Sequence, residues 1–466
     1  MYDVIVVGGG IGGIGAAAIL AKQGRKVLLL EQLDKVGGKC VSHKKEGYHF
    51  PVFIHAFARG SKGSCAHIAR MLGEEIAWTT INELPICVNG EWIGITVKGR
   101  PIGVKLPLKD VLSLAMLALQ TLPKLLTKNG RDELDRTDLR SWLLKRSDNP
   151  KLHAIIGYVA GAFYAIPYWE SSLGETIQIF RGLMKGKIAY PVGECEAIPE
   201  TLFTGFKKHG GEFRQGKAKR IVVSEGKVRG VELEDGEILE APLVISNAGI
   251  KRTVLDLVGE EHFDKSYVNH VRNLRSSWTA LVIHTALSKK ITDRPCGMYA
   301  HSLDVAGYTE QLERGEIPEK PYIWYMVTTN WTSSFAPPGK QIICFGCPMP
   351  FIEGADWKKW ADKVLESGEE LFPGLNEHMI FKEVIPPDYI QSWADKDKEG
   401  LGFPVAQTKW QVGANRPSMI SPINGLYYVG HDVANSGKIR AIGVDAAGES
   451  ALECAEIVAN RLGPVG

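Results

Sequence analysis

Val4-Ile5-Val6-Val7-Gly8-Gly9-Gly10-Ile11-Gly12-Gly13 is the stretch whose reading decides the fold. The apolar run from Tyr2 to Val7 predicts a short buried parallel strand. An Ala-rich segment to about Gln23 predicts a helix, and Lys26 to Leu30 a second buried strand. The G-x-G-x-x-G spacing of Gly8, Gly10 and Gly13 therefore falls where a strand turns into a helix, the context that a dinucleotide fingerprint requires. Gly8 permits the tight turn, Gly10 lets the backbone approach a pyrophosphate, and Gly13 lets the helix pack closely on the strand. The helix start at Ile11 and Gly12 turns unpaired N–H groups toward the phosphates. Glu31, followed by Gln32, ends the second strand, where a carboxylate hydrogen-bonds adenosine ribose hydroxyls. This βαβ unit predicts a nucleotide-binding domain and leaves FAD and NAD both open.

Further along, residues 76–184 are Leu-rich, carry several Trp and Tyr, and contain no nucleotide motif. From Pro191 to Gly249 the chain returns to α/β character, with a helix near Ile198 to Lys208 and strands near Glu212, Ala218 to Val223, Val228 to Leu233 and Ala241 to Ser246. Strands Thr279 to Thr285 and Tyr322 to Thr328 and a helix Trp357 to Leu371 follow, then a strand Gly425 to Val429 and a long helix Val444 to Leu462. The expected architecture is α/β: a Rossmann-like nucleotide-binding domain of 1–75, 185–255 and 405–466, with an inserted mixed α+β substrate domain of 76–184 and 256–404.

Composition narrows the class. The 466 residues are 44% hydrophobic and 23% charged with a net charge of +2, which suits a globular protein and gives no general argument for nucleic acid. The 8 cysteines are scattered as expected of reduced thiols. Cys344-x-x-Cys347 starts in a strand predicted over Gln341 to Phe345, and residues three apart on a strand face opposite sides, so it is read as structural. No zinc-ligand spacing is seen, and the lone His284 is read as structural. No basic leader precedes the first strand, so a cytoplasmic protein is expected.

The segment after Glu31 separates the two dinucleotides. Val36-Gly37-Gly38-Lys39 resembles the family of phytoene desaturases, carotenoid isomerases and retinol saturases, with amine oxidases more distant; its members carry Gly-Gly-Arg or Gly-Gly-Lys beside the pyrophosphate. The resemblance continues through Pro191-Val192-Gly193, Gly210-Gly211-Glu212 and the strand at Ala218. It runs on through Val244 to Gly249 with Asn247, Ala336 to Lys340, Arg416-Pro417, Gly425 to Gly430, and Gly443-Val444-Asp445-Ala446-Ala447-Gly448. It implies FAD held by these segments, with the helix start at Gly443 and Val444 aimed at the flavin. It also implies a ribityl contact from His431 or Asp432; the family's acid often stands where this chain has His431.

The chain departs from the family at Phe50-Pro51-Val52-Phe53, where Phe-Asp-x-Gly is common. His55 follows, and the resemblance places it near the flavin ring as a candidate proton donor or orienting group. Val111 to Leu126, flanked by Lys105, Lys109, Lys124 and Lys128, is too short and interrupted to span a bilayer; it is either an interfacial segment or a core helix. The resemblance implies an FAD-dependent oxidoreductase acting on carbon–carbon bonds of a hydrophobic isoprenoid or polyene substrate, by desaturation, saturation or isomerisation. Its electron acceptor or donor is not named by any motif. An amine-oxidase-like flavoenzyme and a non-catalytic flavin- and lipid-binding protein are the alternatives.

Overall fold

The computed structural model describes residues 1–53, 56–96, 107–185, 187–387, 402–434 and 441–464. β1 (Val4–Val7), α1 (Ile11–Lys22) and β2 (Val27–Glu31) form the N-terminal unit. Every residue of both strands is buried, as expected where a parallel sheet is covered on both faces. α1 is buried from Ile11 to Ala21, because its Gly and Ala positions let neighbours approach from several sides. A Cβ on Gly15 would stand 2.9 Å from the Cβ of Ala451 in the C-terminal helix Gly443–Leu462.

Five parallel strands make the first sheet, in the order Leu426–Tyr428, Leu243–Ser246, β1, β2, Glu212–Gln215. β1 pairs with β2 on one side and with a strand more than two hundred residues away on the other. The strand order reverses there, and the crevice beyond the carboxyl ends at such a point is where open α/β sheets bind ligands. A three-stranded antiparallel sheet, Ala218–Ser224, Lys227–Leu233 and Ile238–Glu240, packs beside it.

The second large sheet has seven strands in the order Met379–Ile385, Thr279–Leu287, Gln341–Met349, Ile323–Met326, Cys296–Ala300, Glu83–Val88, Glu91–Thr96. Cys296–Ala300 and Glu83–Val88 run parallel and join the stretches 76–184 and 256–404 in one sheet. Cys344 and Cys347 both lie in Gln341–Met349, but Cys347 packs in the main core of this sheet and Cys344 in a small cluster with Val41, Val52 and Val282. Opposite faces of one strand account for that separation. His284 is fully buried in Thr279–Leu287, with its ring 5.0 Å from that of Phe50. Phe50 belongs to a hairpin, Ser42–Lys45 with Tyr48–Pro51, that bridges toward this sheet.

Candidate functional site

The glycine turn is built around Asn247. The Gly8 N–H donates to the Leu30 carbonyl at 2.8 Å, and the Asn247 N–H donates to the Val7 carbonyl at 2.8 Å, so the turn is tied to strands on both sides. Asn247 Nδ2 donates to the Val429 carbonyl at 2.7 Å. A Cβ on Gly10 would stand 2.6 Å from Asn247 Oδ1, and one on Gly12 would stand 3.1 Å from the Gly430 nitrogen. The Gly430 N–H donates to the buried Ser450 hydroxyl at 2.9 Å. Residues from the two ends of the chain are thus locked around the first turn of α1. That helix has no side-chain cap and no acidic residue in its first turn, so its N–H groups and positive dipole end remain to meet an anion.

Glu31 is nearly buried at 8% exposure. Its carboxylate accepts from the Gly9 N–H at 2.7 Å and from the Leu33 N–H at 3.0 Å. It therefore shapes the turn itself. The Gly216 N–H donates to the Glu31 carbonyl at 2.7 Å, which brings the start of Ala218–Ser224 to the same end of the crevice. Lys39 reaches across to the Gly402 carbonyl at 3.3 Å.

At the other end, Asp432 Oδ2 accepts from the Ile250 N–H at 2.6 Å. Burial pushes the Asp432 carboxyl up from the usual range, against the opposing pull of that N–H, Arg416 and Lys39. The His431 ring stacks on Phe403, with centroids 4.6 Å apart. Burial, followed by the charges of Arg416 and Lys39, holds its pKa well below the ordinary imidazole value, so the ring is neutral near pH 7. The Gln407 amide lies 3.1 Å from His431 Nε2. With Nε2 accepting, the ring proton sits on Nδ1, which is buried and has no hydrogen-bond partner among the described residues. Asp445, in the first turn of Gly443–Leu462, accepts from the Ser64 N–H at 3.1 Å and pairs with Arg59 at 3.5 Å. That anchorage presents Gly443, with φ of +54°, and Val444 to the crevice.

One cavity of about 590 Å³ joins these groups. Of the residues singled out in the sequence, Gly8, Gly10, Ile11, Gly12, Glu31, Gln32, Gly38 and Lys39 border it, as do Ala218, Asn247, Gly430, His431, Asp432, Gly443 and Val444. Gly13 does not; it packs against Gly8 and Asn247. His55 lies outside the described residues, between Phe53 and Ala56, which both border the cavity. The opposite wall comes from the seven-stranded sheet and its approaches, with Trp278, Ala280, Val282, Met298, Trp324 and Met326 among its members. On that wall no Asp, Glu, Lys, Arg or His is found among the described residues. Sequence reasoning did not find the two tryptophans: their side of the cavity is assembled from strands distant in sequence, and no local pattern marks which aromatic residues face it.

The model of the family described as flavin containing amine oxidoreductase matches residues 11–459. The chain belongs to that family. This amine oxidoreductase family member is 26% identical to prolycopene isomerase, chloroplastic, of Arabidopsis thaliana, over 99% of this chain and 83% of the relative. It is 24% identical to 4,4'-diaponeurosporene oxygenase of Staphylococcus aureus, over 94% of this chain and 95% of the relative. An oxidoreductase of Methanosarcina mazei shares its fold with a TM-score of 0.73 at 20% identity, covering 97% of this chain and 99% of that one. Putrescine oxidase bound to putrescine does so with a TM-score of 0.70 at 14% identity, covering 98% of each. The family member is an FAD-dependent oxidoreductase with a Rossmann-like α/β fold. Its residues fit that cofactor: a cradle at Gly10 that a Cβ would fill, an uncapped helix end, a carboxylate at the end of β2, and an Nδ1 of His431 without a partner among the described residues.

Proposed function

We propose that the protein acts on a carbon–carbon bond of a hydrophobic polyene or isoprenoid substrate, by desaturation, saturation or isomerisation. The observation that carries this reading is the far wall of the cavity, mostly apolar and without Asp, Glu, Lys, Arg or His among the described residues. A neutral hydrocarbon gains by leaving water for such a wall, roughly 25 cal/mol per Å² of apolar surface. A cationic amine would lose its hydration there with no carboxylate to replace it. The two curated relatives, named as a prolycopene isomerase and a 4,4'-diaponeurosporene oxygenase, agree with this choice.

FAD, when bound, supplies the electron-pair chemistry at carbon. The chain's own residues bind, orient and exclude water. The α1 N-terminus and Gly10 receive the pyrophosphate, Glu31 the ribose, and His431 offers a neutral N–H donor at the flavin end. In functional terms 1–75, 185–255 and 405–466 form the FAD-binding part, and 76–184 and 256–404 the substrate part. An organic extract of the purified protein, analysed by mass spectrometry, is expected to contain an isoprenoid or polyene, and anaerobic addition of that compound should change the flavin spectrum. A holoprotein that yields none, and whose flavin responds to simple amines instead, overturns the reading in favour of amine oxidation.

The same reading includes contact with a membrane surface. Among the described residues no helix is long and apolar enough to cross a bilayer. The helix Leu108–Thr121 and the turn Leu122–Leu126 nevertheless bury polar groups and expose apolar ones. Asp110 accepts from the Ser147 hydroxyl at 2.6 Å and from the Asn149 amide at 2.7 Å, and Thr121 accepts from Trp142 Nε1 at 3.2 Å. Leu108, Leu112, Leu119, Leu122 and Leu126 all face solvent, with Leu108 at 72% and Leu126 at 83% exposure. A contiguous exposed apolar patch of this kind suits burial at the lipid headgroup boundary. Lys124 and Lys128 pair with Glu133 and Asp132, Lys109 is exposed, and Lys105 lies outside the described residues. The apolar side chains therefore carry most of the attraction, and the lysines add a salt-sensitive part. The protein is expected to sediment with vesicles containing anionic lipid. Serine at the five leucines should abolish this, and neutralising the four lysines should weaken it at low salt. Equal sedimentation of the wild type and the five-serine variant would show that the patch does not touch lipid.

A further inference from the structure

Beside the main cavity lies a second, of about 30 Å³, walled by Tyr158, Tyr308 and Tyr322 among others. Gly161, Trp278 and Pro348 border both. The smaller space is aromatic and already satisfied in its polar groups. The Tyr308 hydroxyl accepts from the Tyr322 N–H at 2.9 Å, and the Tyr322 hydroxyl donates to the Tyr158 carbonyl at 3.0 Å. These tyrosines thus offer the space ring surface; Tyr158 lies 4.7 Å from Tyr322 and 5.8 Å from Tyr308, centroid to centroid. By itself the space holds little more than a water or two. As an extension of the main cavity it would take the end of a longer hydrocarbon.

Trp278 stands at the boundary, and its main chain is fixed from both sides. Its N–H donates at 2.6 Å to the carbonyl of Ala165, the left-handed residue (φ +50°) that ends the helix Pro150–Tyr164. The preceding Ser277 donates its N–H to the Phe403 carbonyl at 3.0 Å and its hydroxyl to the Trp278 carbonyl at 2.8 Å. Gly402 lies so close that a Cβ there would stand 2.2 Å from the Trp278 carbonyl oxygen. Phe403 in turn stacks on His431. The indole is therefore placed by a clamped backbone next to the flavin end of the cavity. Gly161, at the same boundary, leaves open space: a Cβ there would meet nothing within 4 Å among the described residues.

We propose that Trp278 is the partition that sets how long a hydrocarbon the cavity accepts, with the bare surface of Gly161 leaving room beside it. This rests on the reading of the apolar wall as a polyene site. Removing the indole joins the two spaces, and adding a side chain at Gly161 shortens the cavity.

The test is binding of three all-trans polyene probes, of 20, 30 and 40 carbons, to the FAD-loaded protein in detergent micelles, read from the flavin absorbance change. Trp278→Ala is expected to improve affinity for the longest probe relative to the shortest by about tenfold or more. Trp278→Phe should fall between it and the wild type, and Gly161→Leu should shift preference toward the shortest probe. Flavin content and melting temperature identify a misfolded variant; if Trp278→Ala is one, Trp278→Phe and Gly161→Leu decide. The same ranking of the three probes in the wild type and all folded variants overturns the partition while leaving the polyene site standing. A wild type that binds none of them overturns the polyene site, and the partition with it.

Discussion

Gly13→Ala is expected to purify without FAD and to melt well below the wild type. A Cβ at this position would stand 2.0 Å from the Gly8 carbonyl oxygen, 3.1 Å from the Asn247 Cβ and 3.2 Å from its Oδ1. The closest of these is backbone, which cannot swing away as a flexible side chain can. α1 must then back off from β1, and the Asn247 clamp that ties the turn to Val429 is disturbed with it. Overpacking of a well-packed core costs typically 1–3 kcal/mol and more where the backbone has to move. The cost falls on the turn and helix start proposed to receive the pyrophosphate, so cofactor retention should suffer beyond the loss of stability. Gly161→Ala is the control: its Cβ meets nothing within 4 Å among the described residues, and alanine in a helix is worth roughly 0.5–1 kcal/mol over glycine. Flavin absorbance per chain and a thermal melt distinguish the two. A Gly13→Ala protein that is fully yellow and melts with the wild type would show that the close approach is not required.

Glu31→Ala should weaken FAD binding and also lower stability. The carboxylate accepts from Gly9 and Leu33 inside the protein, and its position at the end of β2 suits a ribose hydroxyl. Hydrogen bonds to a charged group are worth roughly 1.5–3 kcal/mol each, and truncation leaves the Gly9 N–H without its buried acceptor. Loss of one ribose bond alone predicts a decrease in affinity of about tenfold to a hundredfold. Loosening of the turn adds to it. Glu31→Gln keeps one carbonyl acceptor and should lie between. Titration of the apoprotein with FAD, followed by intrinsic fluorescence, gives the affinities. Unchanged affinity in Glu31→Ala would remove Glu31 from the cofactor site and leave it a role in the turn alone.

Much of the first sheet was legible because its signals are local. The apolar runs at Val4–Val7 and Val27–Glu31, the glycine spacing between them and the acid at the end of β2 lie within about thirty residues. Helix Trp357–Leu371 was legible for the same reason, through its apolar periodicity. The strand expected over Tyr322 to Thr328 proves shorter, Ile323–Met326, because Thr328 begins a 3-10 turn capped by nothing in the sequence pattern. For the segment 108–126 the pattern allowed a core helix or an interfacial one. The arrangement of Asp110 with Ser147 and Asn149 turns its polar groups inward and its leucines out.

The sequence alone determined that this chain opens on a βαβ unit with a glycine-rich turn and, through motifs spread from Val36 to Gly448, carries the resemblance that points to FAD. Tight turns, close helix–strand approach and charge placement depend on residue type at short spacing, so they survive as readable motifs. Tertiary structure decided what lies across the cavity from the glycine turn. Trp278, Met298 and Trp324 come from three strands of one sheet or their edges, and their side of the cavity exists only once those strands pair. It also decided that Asn247 acts as a clamp and that His431, stacked on Phe403, presents a neutral ring to the crevice. An environment of that kind is a property of burial and of neighbours brought from elsewhere in the chain, and no local stretch of sequence encodes it.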